Sequence, residues 1–305
     1  MRKFPFLHLF LLAFVMLAIP APSHAQVRIG VSVRIGPPAL PVYAQPICPG
    51  AGYIWMPGYW AYGDDGYYWV PGTWVLAPEP GFLWTPGYWG WGGGVYIWHV
   101  GYWGPHVGFY GGVHYGFGYT GVGFVGGEWR GREFFYNRSV SNVNVTVIHN
   151  TFNRTVVVNN VSRVSYNGGH GGIDARPTRE EDSYEHERHV EPTAEQVQHR
   201  DEASHNRAQF ASVNHGRPGV AATPRPSAFN DRGVMHANAR GERFDNNANE
   251  NRNRQNRGDF RNGNRNSQDR SSHHDNARTE HNQRDQRQRP DKPDHKPGKG
   301  ERPRS

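Results

Sequence analysis

The chain reads as a mainly β protein: an antiparallel meander of aromatic repeats, followed by further strands, a short helical segment and a long disordered C-terminal tail. Three observations lead to that class. One short aromatic pattern is written four times between Gly52 and Trp103, each copy fourteen or fifteen residues after the last. Turn residues gather between the copies, and β-branched runs return after them. From residue 216 onward aliphatic side chains almost vanish.

Residues 1–25 have the pattern of an export signal. Arg2 and Lys3 precede a mainly apolar run from Phe4 to Ile19, and Ser23-His24-Ala25 supplies a small-x-small cleavage site, so cleavage is expected between Ala25 and Gln26. The run is interrupted by Pro5 and His8 and falls short of the roughly 20 residues a membrane helix needs, so the mature chain is expected to have no transmembrane span. Residues 26–51 form an N-terminal strand and a Pro-rich linker. Val27, Ile29, Val31, Val33 and Ile35 alternate with polar or small residues, the mark of a half-buried strand, and Pro37, Pro38, Pro41 and Pro46 follow.

The repeats occupy residues 52–103. They run Tyr53 to Trp60, Tyr67 to Trp74, Phe82 to Trp89 and Tyr96 to Trp103, each an aromatic, any residue, Trp, two residues, Gly, any residue, Trp. If each Pro-Gly were a tight hairpin loop, Trp55 would face Trp60. L-Pro followed by Gly prefers type I or II turns, whose twist splays a hairpin. The stronger turn signals are Gly63-Asp64-Asp65-Gly66, Pro78-Glu79-Pro80-Gly81 and Gly92-Gly93-Gly94. One copy is therefore expected to be one strand, with Pro57-Gly58, Pro71-Gly72 and Pro86-Gly87 as bulges or bends inside it. The fourth copy has Val100-Gly101 there.

The spacing resembles the bacterial YXWGXW repeat proteins, also written WXXGXW. All four copies carry it, at Trp55, Gly58 and Trp60; Trp69, Gly72 and Trp74; Trp84, Gly87 and Trp89; and Trp98, Gly101 and Trp103. The resemblance implies an exported protein of a Gram-negative-type envelope, located in the periplasm, at the outer membrane or outside the cell. It implies no particular activity.

Residues 104–170 are Gly/aromatic-rich and then Asn/Val-rich, and are expected to be β. Two dinucleotide-type patterns, Gly116-x-Gly118-x-x-Gly121 and Gly121-x-Gly123-x-x-Gly126, lack the following helix that a pyrophosphate site needs and are read as accidents of glycine density. Val143, Val145 and Val147 alternate with Asn142, Asn144 and Thr146, and β-branched runs at Thr155 to Val158 and Val161 to Val164 suggest further strands. Four Asn-x-Ser/Thr sequons, at Asn137, Asn144, Asn153 and Asn160, are read as repetitive composition.

Residues 171–215 form a polar helical segment. Thr178 and Thr193 are capping residues, the second with Gln196 at the reciprocal position, and the second helix is expected to run to about Val213. Val197, Ala203, Ala208, Phe210 and Ala211 make only a weak stripe, so this helix is expected to be solvated. His186-Glu187-Arg188-His189 is one residue short of the zinc-protease spacing, and His99, His106 and His114 have no recognisable carboxylate partners, so no metal is expected.

Residues 216–305, with 20 Lys and Arg against 12 Asp and Glu, are expected to be a disordered basic tail. Such a tail would ordinarily point to nucleic acid, which export disfavours; the partners left are an anionic envelope polymer or a second copy of the chain, alongside a purely solvating role. The single cysteine, Cys48, excludes an internal disulfide and is read as incidental. No Ser/His/Asp or Cys/His arrangement and no cofactor motif stands out. The expected class is a non-enzymatic structural or interaction protein of the cell envelope; the alternative is a glycan or envelope-polymer binding module whose repeat Trp and Tyr rings form exposed platforms.

Overall fold

A computed structural model describes residues 29–157 and 162–238 of the chain. The expected export segment, its junction at Ala25 and Gln26, and the tail beyond residue 238 lie outside the described residues.

The protein is mainly β, and its repeats fold as antiparallel hairpins, two copies to each. In the first hairpin, Tyr53–Met56 (β2), Tyr59–Gly63 (β3), Gly66–Val70 (β4) and Gly72–Leu76 (β5) make two short ladders, β2 with β5 and β3 with β4. In the second, Leu83–Thr85 (β6), Tyr88–Gly92 (β7), Val95–His99 (β8) and Tyr102–Gly104 (β9) repeat the plan, β6 with β9 and β7 with β8. Each copy is thus one strand broken at its internal Pro-Gly or Val-Gly, as the turn handedness required. The hairpin ends fall at Asp64-Asp65, followed by Gly66 at φ +99°, and at Gly93-Gly94, whose φ values of +60° and +86° are the pair a type I′ turn demands. At Pro78-Glu79-Pro80-Gly81 the chain crosses from one hairpin to the next; β5 and β6 do not pair, so the meander is two paired units rather than one continuous ladder.

The break within each strand has a physical cause. At Gly72 a Cβ would lie 2.5 Å from Trp55 Cζ2 and 2.9 Å from the Gly58 nitrogen; at Gly58 it would collide with Trp69 Cζ2 and sit 2.8 Å from the Gly72 nitrogen. The second hairpin repeats this. Gly87 would meet Trp98 Cζ2 at 2.5 Å and the Gly101 nitrogen at 2.8 Å, while Gly101 would meet Trp84 Cζ2 at 2.6 Å and the Gly87 nitrogen at 2.7 Å. So every motif glycine abuts the glycine of the partner copy and the edge of that copy's first tryptophan. None of the four needs a positive φ; space alone requires glycine there.

The other elements close around this pair. Ile29–Val33 (β1) joins β8 at one edge and Tyr166–Asn167 (β13) joins β7 at the other, giving the order β1-β8-β7-β13. Gly127–Arg130 (β10), Glu133–Asn137 (β11) and Thr151–Phe152 (β12) make a separate three-stranded sheet. Helices Arg179–Tyr184 (α1), Ala194–His205 (α2) and Ala211–Asn214 (α3) follow, with a 3₁₀ turn at Arg207–Gln209. Ala222–Thr223 (β14) lies parallel to β5, in the order β14-β5-β2. No helix among the described residues is long and apolar enough to cross a membrane.

Four expectations are corrected. The alternating face of β1 is lost: one extra residue between Ile29 and Ser32 shifts the register, leaving Val31 and Ile35 exposed. Residues 143–147 are not a strand, because Asn144 turns the chain locally, its Oδ1 accepting from the Thr146 N–H and hydroxyl while its carbonyl accepts from Val147 and Ile148. The second polar helix ends at His205, where Asn206 starts a 3₁₀ turn by accepting from the Ala208 N–H, and it is docked rather than solvated, with Gln196, His199 and Ala203 buried. Residues 216–238 are ordered: Gly72 donates to the Ala221 carbonyl, Met235 to Ala222 and Asn238 to Val42.

Replacing Gly72 by Ala is expected to destabilise the fold by about 1–3 kcal/mol, the usual cost of overpacking. Gly219→Ala, at a position with open space, should stay within roughly 0.5 kcal/mol of the parent. Urea unfolding of the two variants measures the difference.

Candidate functional site

The paired copies bring the eight motif tryptophans together in cross-strand pairs. Trp55 faces Trp74 and Trp60 faces Trp69, with ring centroids 5.3 Å apart in both pairs; Trp84 faces Trp103 at 5.3 Å and Trp89 faces Trp98 at 5.4 Å. Such pairs add about 0.5–1.5 kcal/mol each beyond the area they bury. Seven of the eight are buried, and Trp98 alone is half-buried.

Burying an indole leaves an N–H to satisfy, and most of these N–H groups go to segments outside their own strand. Trp60 donates to the Ala39 carbonyl and Trp74 to that of Pro46, which fastens the Pro-rich linker to the first hairpin. Trp69 donates to Ala221, and Trp103 donates to Gln196 Oε1 at 2.7 Å, which fastens the C-terminal segment and α2. Trp89 donates to the Trp60 carbonyl and joins the hairpins. Tyrosines from outside the repeats complete the frame. The Tyr43 hydroxyl accepts from Gly58 N–H, Tyr115 donates to the Gly87 carbonyl at 2.6 Å, and Tyr119 points its hydroxyl at both Trp84 and Trp55 carbonyls. Burial drives the Tyr115 and Tyr119 phenols far above the usual tyrosine range, so they remain neutral donors.

The concavity that results lies between the hairpins and α2. Its walls include Pro57, Tyr59, Pro86, Trp98, Gln196 and Arg200. Tyr59 stacks on Trp98 with centroids 5.0 Å apart and planes 16° from parallel. Burial raises the Tyr59 phenol, and the Arg200 guanidinium partly opposes that shift. The cleft is small and open: its non-atom space, open solvent included, is about 480 Å³, and the centre of a water-sized sphere has about 30 Å³ to occupy, room for about two waters.

One buried imidazole holds the α2 wall. His199 donates from Nε2 to the Pro71 carbonyl at 2.9 Å and accepts at Nδ1 from the Ser227 N–H at 3.0 Å; an amide can only donate and a carbonyl only accept, so the neutral tautomer is fixed. Burial pulls its pKa down to about 4, with the Pro71 bond and Glu202 opposing.

Three further histidines stack on tyrosines. His99 stacks on Tyr88 at 4.4 Å, and His189 on Tyr102 at 3.8 Å. His106 stacks on Tyr184 at 4.4 Å and binds Glu187 at 2.9 Å. Among the described residues no three His, Cys, Asp or Glu side chains form a metal-sized group. Gly116, Gly118, Gly121 and Gly123 all take positive φ in an irregular loop that no helix follows. Cys48 is buried, its thiol pushed up to about 11 by burial and donating to Gly50 O. Asn137, in a sequon, is buried and spends its amide on the Val125 and Arg154 carbonyls.

Sequence reasoning found the twelve motif residues and read Gln196 only as a helix cap, but missed His199 and Arg200. The available signal was the i, i+3, i+7 spacing of Gln196, His199 and Ala203, a face that hydropathy alone scores as polar.

Comparison with known families identifies the WXXGXW repeat in two copies, at residues 50–75 and 80–103. Each matched copy spans two Trp-x-x-Gly-x-Trp motifs and corresponds to one of the two hairpins. No curated protein and no solved structure matches the chain.

Because the unfolded chain binds a proton at His199 near pH 6.5 and the folded chain only near pH 4, stability is expected to fall as pH drops between those values and to level off below. The full loss is about 3 kcal/mol. Urea unfolding at pH 7.5 and 4.5 should show a larger acid loss for the parent than for His199→Gln.

Proposed function

We propose that the protein is a non-enzymatic, exported structural and interaction protein of the cell envelope, which uses paired aromatic repeats as a rigid frame. The observation that carries this reading is the way the tryptophans are spent. Seven are buried, and five of those donate to carbonyl oxygens that hold the linker, α2, the C-terminal segment or the neighbouring hairpin. Side chains so occupied build a scaffold, and surface is what such a scaffold has to offer. Export is supported by Arg2 and Lys3, the apolar run from Phe4 to Ile19 and the Ser23-His24-Ala25 junction.

The platform alternative loses seven of its eight motif tryptophans to burial. Trp98 stays half open beside Tyr59, and of the other repeat rings Trp91 is exposed while Tyr53, Tyr62, Tyr88 and Tyr102 are half-buried.

Expressed in full in a Gram-negative bacterium with a C-terminal tag, the protein is expected in the envelope or medium fractions with Gln26 as its first residue. Mass spectrometry of the N-terminal peptide from fractionated material, with Gln26 free or cyclised to pyroglutamate, checks this. A chain beginning at Met1 in the cytosol would overturn the export reading.

A further inference from the structure

The two hairpins follow one plan, so a difference between equivalent positions marks what each is used for. Trp69 and Trp98 are equivalent, each the first tryptophan of the second copy in its hairpin. Trp69 is fully buried and its indole donates to the Ala221 carbonyl, while β14 runs along the adjoining strand. In the second hairpin the adjoining strand is bridged antiparallel by Val190, through Trp103, and the chain passes by Pro192 into α2. Trp98 is left half-buried, and among the described residues its indole N–H has no hydrogen-bond partner.

Two polar groups meet the cleft beside it. Arg200 is exposed and has no ion pair or hydrogen bond among the described residues. Gln196 is 4% exposed. Its Oε1 accepts from both Trp103 Nε1 and the Thr193 N–H, which fixes the other end as the nitrogen, and that nitrogen donates only to the Met56 thioether, a weak acceptor. A buried amide donor is therefore under-used at the cleft wall.

We propose that this cleft binds a carboxylated pyranose of an acidic polysaccharide, its hydroxyls set against the open rim of the Tyr59–Trp98 stack and its carboxylate paired with Arg200, with Gln196 Nε2 as a second donor. Tyr59 and Trp98 spend their facing surfaces on each other, so a sugar meets the rim of the stack, which is electropositive and complements hydroxyl oxygens. Guanidinium pairs with carboxylate through two parallel hydrogen bonds. The small free space argues against a peptide side chain anchored at depth and leaves the ligand at the open mouth. The assignment of the polymer to the envelope rests on the export reading above; the binding chemistry does not.

The test uses the full chain and calorimetric titration with trigalacturonic acid, neutral chitotriose and oligoglutamate. The acidic trisaccharide is expected to bind, with affinity falling as salt rises, and Arg200→Gln to weaken it at least about tenfold. Val197→Trp, at the exposed mouth, should block it, with both variants unfolding in urea like the parent. Equal affinity in parent and Arg200→Gln, binding of chitotriose or oligoglutamate as tight as that of the acidic sugar, or no binding at all would overturn the proposal. Binding by a chain found in the cytosol would sustain the cleft and remove only the envelope source.

Discussion

The fold depends on one close approach, the meeting of two glycine backbones over an indole edge at the centre of each hairpin. Gly58 meets Gly72 and Gly87 meets Gly101, and in every case the first tryptophan of the opposite copy lies where a Cβ would be. This makes the motif reciprocal: each copy supplies the glycine that its partner's tryptophan needs. A single copy has no such partner, which explains why the recognisable family unit spans two. The proline that precedes three of the four glycines adds a bend where the ladder is already interrupted, so its missing N–H costs little. Val100 in the fourth copy shows that the glycine, rather than the proline, is the common requirement.

From that constraint follows the role of the rings. Once the strands cross so closely, the tryptophans pair across the hairpin and seven become buried; five of their N–H groups find acceptors, while that of Trp55 is buried without one. The acceptors come from the linker, α2 and the segment around Ala221. Parts of the chain with few apolar side chains are therefore held by hydrogen bonds from the aromatic core as well as by the few apolar groups they bury, among them Leu40, Ala203 and Ala221. The same logic makes Trp98 informative, because it is the member of the set from which the fold draws the least.

Much of this was legible in the residues. The spacing of Trp55, Gly58 and Trp60 and their copies, the turn chemistry at Asp64-Asp65 and Gly93-Gly94, and the handedness of Pro-Gly were enough to place one strand per copy and its bend. The capping threonines located both helix starts, and the structure has the full reciprocal bonds at each. What was not legible was which side chains dock without being apolar. Gln196 and His199 are buried because specific carbonyls and amides meet them, which no hydropathy pattern encodes. Ala221 and Ala222 are buried through their backbone ladder, so counting aliphatic residues placed the start of the tail too early. Val145 and Val147 failed in the opposite direction: their alternation suggests a strand, but the Asn144 turn prevents it.

The central claim is that five of the eight motif tryptophans are structural donors, each engaged with a named oxygen. Hydrogen exchange of the indole N–H groups, followed by NMR on the full chain, tests it most directly. The account predicts that Trp60, Trp69, Trp74, Trp89 and Trp103 exchange only through global unfolding, while Trp91 and Trp98 exchange quickly. Fast exchange at all of them, or protection of Trp98 equal to that of Trp69, would contradict it.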